Sequence, residues 1–83
     1  MSSPSTVYIL RSVTAIDRYY TGRTSNLSDR LAAHNRGFSS HTADRRPWRV
    51  IVSIEFAEEQ RAIDFEKYLK SGSGRTFAIR HFR

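Results

Sequence analysis

The stretch Trp48 to Phe56, WRVIVSIEF, places Trp48, Val50, Val52, Ile54 and Phe56 at every second position. A period of two over that length reads as a β-strand with an apolar face. Such a strand is not stable by itself. It needs partner strands and a layer packed on the apolar side, so the rest of the chain has to supply both. Two partners are legible upstream. Thr6 to Ser12 (TVYILRS) is rich in β-branched and aromatic residues, and Arg18 to Gly22 (RYYTG) is a shorter run stopped by glycine. The turn between them, Val13 to Asp17, is short enough that the two should form an antiparallel hairpin.

Helical signals fill the gaps. Asn26 to Arg36 has capping oxygens at Thr24, Ser25 and Asn26, Asp29 in its first turn, Gly37 after its end, and Leu27 and Leu31 one turn apart as a buried face. Phe38 to Pro47 shows no period and carries His41, Arg45 and Arg46, which makes it a basic loop. Glu58 to Ser71 opens with Glu58 and Glu59 and closes with Lys67 and Lys70, charges that suit a helix dipole at both ends. Gly72 to Gly74 is expected to break the chain, and Arg75 to Phe82 to form a short last helix. The reading is an α/β chain of the α+β kind. Its order is β-β-α-β-α, with a three-stranded antiparallel sheet flanked by helices. Residues 1–5 are expected as a disordered tail and 6–83 as one domain.

Composition narrows the function. No cysteine is present, so disulfides and thiolate metal sites are excluded and a metal would be held by oxygen or imidazole. No run resembles a signal peptide or the roughly 20 apolar residues of a bilayer span, so a soluble cytoplasmic protein is expected, without a membrane partner. Fourteen Lys+Arg against eight Asp+Glu give a net charge of +6 and an isoelectric point near 10.5. A surface this basic attracts polyanions, and arginine, which supplies most of the charge, matches phosphate geometry with its planar fork. Nucleic acid is the expected partner, with the chain itself a monomer or a weak homodimer.

Several residues could carry chemistry. Tyr8 and Tyr20 stand on adjacent strands of the hairpin, where their hydroxyls could converge. A phenol is a useful base at neutral pH only if its anion is stabilised, and Arg11, Arg23 and Arg30 are candidates to do so. Arg30 and His34 lie four apart on the first helix, on one face bordering Leu27 and Leu31. An arginine there can clamp a phosphate oxygen, and a histidine can position or deprotonate water. Glu66 borders the stripe of Ala62, Phe65 and Leu69 on the second helix. A carboxylate so placed can hold a hydrated Mg²⁺, although the same spacing also allows a plain Glu66–Lys70 surface pair.

The succession VYI, YTG, a helix with R-x-x-x-H and a second helix with A-x-x-x-E resembles the GIY-YIG nuclease superfamily, and in particular its small stand-alone bacterial members. The resemblance runs from about Thr6 to Phe82. It implies that Tyr8 and Tyr20 are the tyrosines of the two motifs, one of which helps activate the attacking water. It further implies that Arg30 binds the scissile phosphate, that His34 assists one turn later, and that Glu66 is the single metal-ligating carboxylate for Mg²⁺ or Mn²⁺. Arg23 takes a place where relatives carry a lysine near the second tyrosine. Two departures stand out: the first motif begins Thr6-Val7, and nothing from Lys67 to Arg83 is asparagine, a residue several active relatives carry after the glutamate. The implied activity is metal-dependent endonucleolytic hydrolysis, on DNA more than RNA, in a DNA-repair setting. Arg23, Arg36, His41, Arg45, Arg46, Lys70 and Arg75 are expected to touch nucleic acid. The alternative is a non-catalytic nucleic-acid-binding module of the same fold.

Overall fold

In a computed structural model describing residues 4–83, strand β1 (Ser5–Ser12) runs through the middle of a three-stranded antiparallel sheet. Strand β2 (Tyr19–Thr24) pairs along one side of it and β3 (Trp48–Phe56) along the other. Helix α1 (Leu27–Asn35) follows β2, one 3₁₀ turn (Ala43–Arg45) interrupts the basic loop, and α2 (Glu59–Leu69) and α3 (Gly72–His81) follow β3. The fold is therefore α+β, a three-stranded antiparallel sheet with three helices. Of the expected tail, residues 1–3 lie outside the described residues. Ser5 already belongs to β1 and is buried, so the strand begins one residue before Thr6.

Helices cover both faces of the sheet, and this is why β1 is so apolar. Its odd positions, Val7 and Ile9, face α2 and α3 and pack with Ala62, Leu69 and Ala78. Its even positions, Tyr8 and Leu10, face α1 and pack with Trp48, Leu27 and Leu31. Val7, Tyr8, Ile9 and Leu10 are all exposed by 2% or less. Fully burying residues of this size stabilises the fold by about 1.5–3 kcal/mol each, enough for one strand to organise so short a chain.

The expectation that Trp48, Val50, Val52, Ile54 and Phe56 share one face is corrected here. Ile9 pairs with Val52 but Leu10 pairs with Val50, so Ile51 is an extra residue and β3 bulges at that point. One inserted residue reverses the side-chain parity. Trp48 and Val50 join Tyr8 on the α1 side, while Ile51, Val52 and Phe56 join the α2–α3 side. A strand that looks one-faced in sequence thus serves both halves of the core.

Two element ends also differ from expectation. Strand β2 continues past Gly22, because Arg23 and Thr24 still pair with Val7 and Thr6. Helix α3 starts at Gly72 rather than Arg75: Ser71 caps it, its hydroxyl accepting from the Gly74 N–H at 3.2 Å. Gly74 is there for space. A Cβ at this position would overlap the Tyr68 carbonyl at the sharp α2–α3 elbow, whereas one at Gly72 would meet nothing within 4 Å. Among the described residues no helix is long and apolar enough to cross a membrane.

The two glycines make a paired prediction. Gly74→Ala should destabilise by about 2 kcal/mol or more, through forced movement of the elbow backbone, while Gly72→Ala should be neutral or stabilising by up to about 1 kcal/mol. Urea unfolding of both variants checks this; equal effects would mean that the elbow is not tightly packed.

Candidate active site

The site forms where the two covered faces meet at the free edge of β2. Tyr8 lies directly opposite Gly22 in the β1–β2 ladder. A Cβ on Gly22 would stand 2.5 Å from the Tyr8 phenolic oxygen, 2.7 Å from its Cζ and 2.9 Å from Tyr20 Cε1. The absent side chain is what lets the Tyr8 ring cross β2. Tyr20, two residues before Gly22, faces the same way, its ring centroid 6.3 Å from that of Tyr8.

Helix α1 supplies the partner. Asn26 caps it by accepting from the Asp29 N–H, and the Gly37 and Phe38 N–H groups close its end on the His34 and Ala33 carbonyls. The intervening turn brings His34 under the sheet, 2% exposed. Its Nε2 is 3.0 Å from the Tyr8 hydroxyl, its Nδ1 is 2.9 Å from Thr42 Oγ1, and its ring sits edge-on to Tyr20 with centroids 4.8 Å apart. The proton positions follow from counting donors. The Thr42 hydroxyl donates to the Ser39 carbonyl at 3.4 Å, so it accepts from His34 Nδ1–H, and Nε2 is left to accept the Tyr8 proton. Burial, and then the positive charge of Arg30, lower the His34 pKa from 6.5, so the ring is a neutral acceptor near neutral pH.

Tyr8 is pushed up to about 12, chiefly by burial and next by Tyr20. Arg30 opposes the rise through its charge and its N–H groups, and Glu66 adds to it. Of the candidate cations, Arg30 acts on the phenol, and it offsets the effect of burial only in part. At pH 7 only roughly one molecule in 10⁵ would carry the anion. Arg11 plays no part, lying instead beside Arg49, Val13 and Ile16.

Glu66 comes from α2, on the opposite face, with its side chain 21% exposed at the margin. Its Oε2 is 2.9 Å from Lys70 Nζ and its Oε1 is 3.5 Å from Arg23 Nε. The i, i+4 pair that spacing allows does form. The carboxylate's negative charge is the smallest of the influences on the Tyr8 phenol, which it raises. Tyr8, Tyr20 and His34 touch, and Arg30 and Glu66 flank them.

Could this centre hold a metal? Among the described residues no three His, Cys, Asp or Glu side chains gather, which argues against an ion held by a full protein cage. A single, partly exposed carboxylate fits an ion such as Mg²⁺, which keeps most of its water and takes phosphate oxygens.

The expected nucleic-acid contacts separate into groups. Arg23 faces α2, where it approaches Glu66, Glu59 (3.7 Å) and Ser5 Oγ (3.3 Å). It stands on the opposite face of β2 from Tyr20, and its buried Nε lacks a hydrogen-bond partner. Arg36 is the exposed end of α1, with the Arg46 guanidinium over the neighbouring Gly37. His41 is exposed and Arg45 half-buried in the same loop. Lys70 and Arg75 lie elsewhere, along an open cleft that reaches Tyr20.

Sequence reasoning missed Thr42, which orients His34. It also missed Asn35, whose side chain accepts from the Trp48 N–H at 2.6 Å and donates to the Trp48 carbonyl at 3.1 Å. With the Trp48 Nε1 bond to the Thr42 carbonyl at 2.8 Å, this holds the loop against the site. Nothing in the aperiodic loop signals Thr42.

His34 makes folding pH-dependent. Its folded pKa lies below its unfolded value, so as pH falls below about 6.5 the unfolded chain takes up the proton first. The stability from this group is complete above that pH and is lost on acidification down to the folded pKa. Urea unfolding from about pH 7.5 to 5.5 should therefore show a steeper loss in the parent than in His34→Gln. Identical slopes would mean that His34 is not held neutral.

A family model described as the GIY-YIG catalytic domain matches residues 4–78. Two curated proteins are similar. The "Structure-specific endonuclease subunit slx1" of Aspergillus oryzae is 39% identical over 64 residues, which cover 71% of this chain and 16% of that protein. The protein of the same description from Chaetomium globosum is 39% identical over 67 residues, covering 74% of this chain and 21% of its own length. The chain thus spans about a fifth or less of these relatives.

Proposed function

The chain belongs to the family of GIY-YIG catalytic domains, and on that premise we propose that it is a divalent-metal-dependent endonuclease hydrolysing phosphodiester bonds, in DNA in preference to RNA. The observation that carries the reading is the Tyr8–His34 hydrogen bond, set in a centre where a guanidinium and a carboxylate both act on the phenol. The two similar proteins, described as structure-specific endonuclease subunits, support a nucleic-acid substrate.

The high pKa of Tyr8 shapes the mechanism. A phenol this reluctant to ionise is a poor base if it must lose its proton beforehand. Paired with a neutral imidazole, it need not. As the water oxygen bonds to phosphorus, Tyr8 accepts a proton from that water and passes its own to His34 Nε2, while Nδ1–H stays on Thr42. The bond from phosphorus to the leaving oxygen breaks, and that oxygen takes a proton from solvent. No free phenolate forms. Arg30 faces the charge gathering on the phosphate, which favours the transition state over the ground state. Tyr20, packed edge-on to His34, keeps the imidazole in place. Glu66 would hold a Mg²⁺ or Mn²⁺, which when bound supplies Lewis-acid stabilisation of phosphate oxygens. Arg23 positions Glu66 from the far face of β2. Arg36, His41, Arg45 and Arg46 at one end, and Lys70 and Arg75 at the other, hold backbone phosphates without reading bases.

The test is cleavage of labelled DNA and RNA, duplex, branched and single-stranded, with Mg²⁺ or Mn²⁺. Product should form on DNA, vanish in EDTA, and fall at least about 100-fold in Glu66→Ala and in Arg30→Ala. Full activity in either variant would remove the assigned centre. Salt-sensitive binding without product in any metal would leave a binding module of the same fold.

A further inference from the structure

We infer that the cleft along the outer edge of β2 is a phosphate-binding track, taking the strand of nucleic acid that flanks the bond being cut. This rests on the proposed function and adds where the substrate runs. The cleft has a volume of about 580 Å³ and is lined by Arg18 from the hairpin turn, Lys70 from the end of α2, Arg75 from α3, and Arg83. These residues come from separate parts of the chain and converge with a single acidic side chain, that of Asp17, among them.

Cations gathered in this way repel one another and do not stabilise the fold by themselves. Among the described residues, Arg18, Arg75 and Arg83 form no ion pair; the pairs present involve Arg23, Arg61 and Lys70. Arg83 is nonetheless held in place, its guanidinium carbon 4.1 Å from the centroid of the Tyr19 ring. A stacked guanidinium keeps its N–H edge available for a phosphate oxygen and loses less freedom on binding. Strand β2 is the edge of the sheet, so no further strand covers the floor of the cleft.

The cleft reaches the candidate centre at Tyr20. Tyr20 lines both, and Lys70, at its rim, has its Nζ on Glu66. A backbone whose scissile phosphate sits between Arg30 and Glu66 therefore has a direct way out past Tyr20 toward Arg75, Arg83 and Arg18. The other basic group, around Arg36 and Arg46, is at the end of α1 and outside this cleft. Arg18 and Arg83 were not singled out by sequence, because arginines that stand far apart in the chain meet only in the folded hairpin and elbow.

The experiment measures binding in EDTA, where cutting is not required, by fluorescence anisotropy of a labelled DNA duplex and of its separated strand. The parent is compared with the triple variant Arg18→Ala/Arg75→Ala/Arg83→Ala. A control of equal charge loss outside the cleft is Arg11→Ala/Arg49→Ala/Arg61→Ala. The cleft variant should lose at least about tenfold in affinity at 100 mM salt, and its log–log salt dependence should become shallower by roughly 2.7 on the duplex and roughly 2.1 on the single strand, as expected for three lost phosphate contacts. The control should lose clearly less. Lysine at the same three cleft positions should restore most of the binding, which separates lost charge from lost folding. A parent that binds and a cleft variant that loses no more than the control would overturn the track and leave the proposed function standing. A parent that binds no nucleic acid would overturn both.

Discussion

A hydroxyl shut inside an apolar sheet costs free energy unless something takes its proton, and the acceptor for Tyr8 is His34 Nε2, 3.0 Å away. Much of the molecule is arranged around that bond. Tyr8 is buried because β1 is central and covered on both faces. Its ring reaches the edge because Gly22 has no side chain. His34 is in range because α1 follows β2 directly, with its cap and its closing turn setting the length of the helix. Thr42 fixes the imidazole, and Thr42 is fixed by the loop that Asn35 and Trp48 anchor.

The same arrangement gives the centre its electrical character. Burial withholds charge from both partners, raising the phenol and lowering the imidazole. On the proposed mechanism, two neutral groups joined by a hydrogen bond can relay a proton without a free phenolate forming. The charged members, Arg30 and Glu66, are at the more exposed margin. On the proposed reading, a centre at the sheet edge allows residues from opposite faces to act on one phosphate. A centre on one face would have Glu66 behind the sheet.

Much of the fold was legible in the chain. The strands and the first two helices follow from local patterns, and the candidate residues Tyr8, Tyr20, Arg30, His34 and Glu66 were named from the order of short motifs that carries the family resemblance. What escaped depends on partners distant in sequence. The reversal of β3 at Ile51 is set by its register against β1, and alternation alone cannot reveal it. The three residues before Arg75 read as a break because glycine usually is one; here Ser71 caps them and the elbow needs Gly74. Arg23 was readable and was misplaced: in a strand it stands three residues from Tyr20, so the two must face opposite ways. Thr42 had no signal, since its part is defined only when the loop folds back onto α1.

The central claim is that Tyr8 and His34 work as one unit in accepting the proton of water, and a double-mutant cycle on the single-turnover cleavage rate tests it most directly. Tyr8→Phe and His34→Ala should each be severe. Residues acting as a unit are non-additive, so the double variant should fall no more than about threefold below the worse single one. Losses that multiply in the double variant would show two independent contributions and contradict the account.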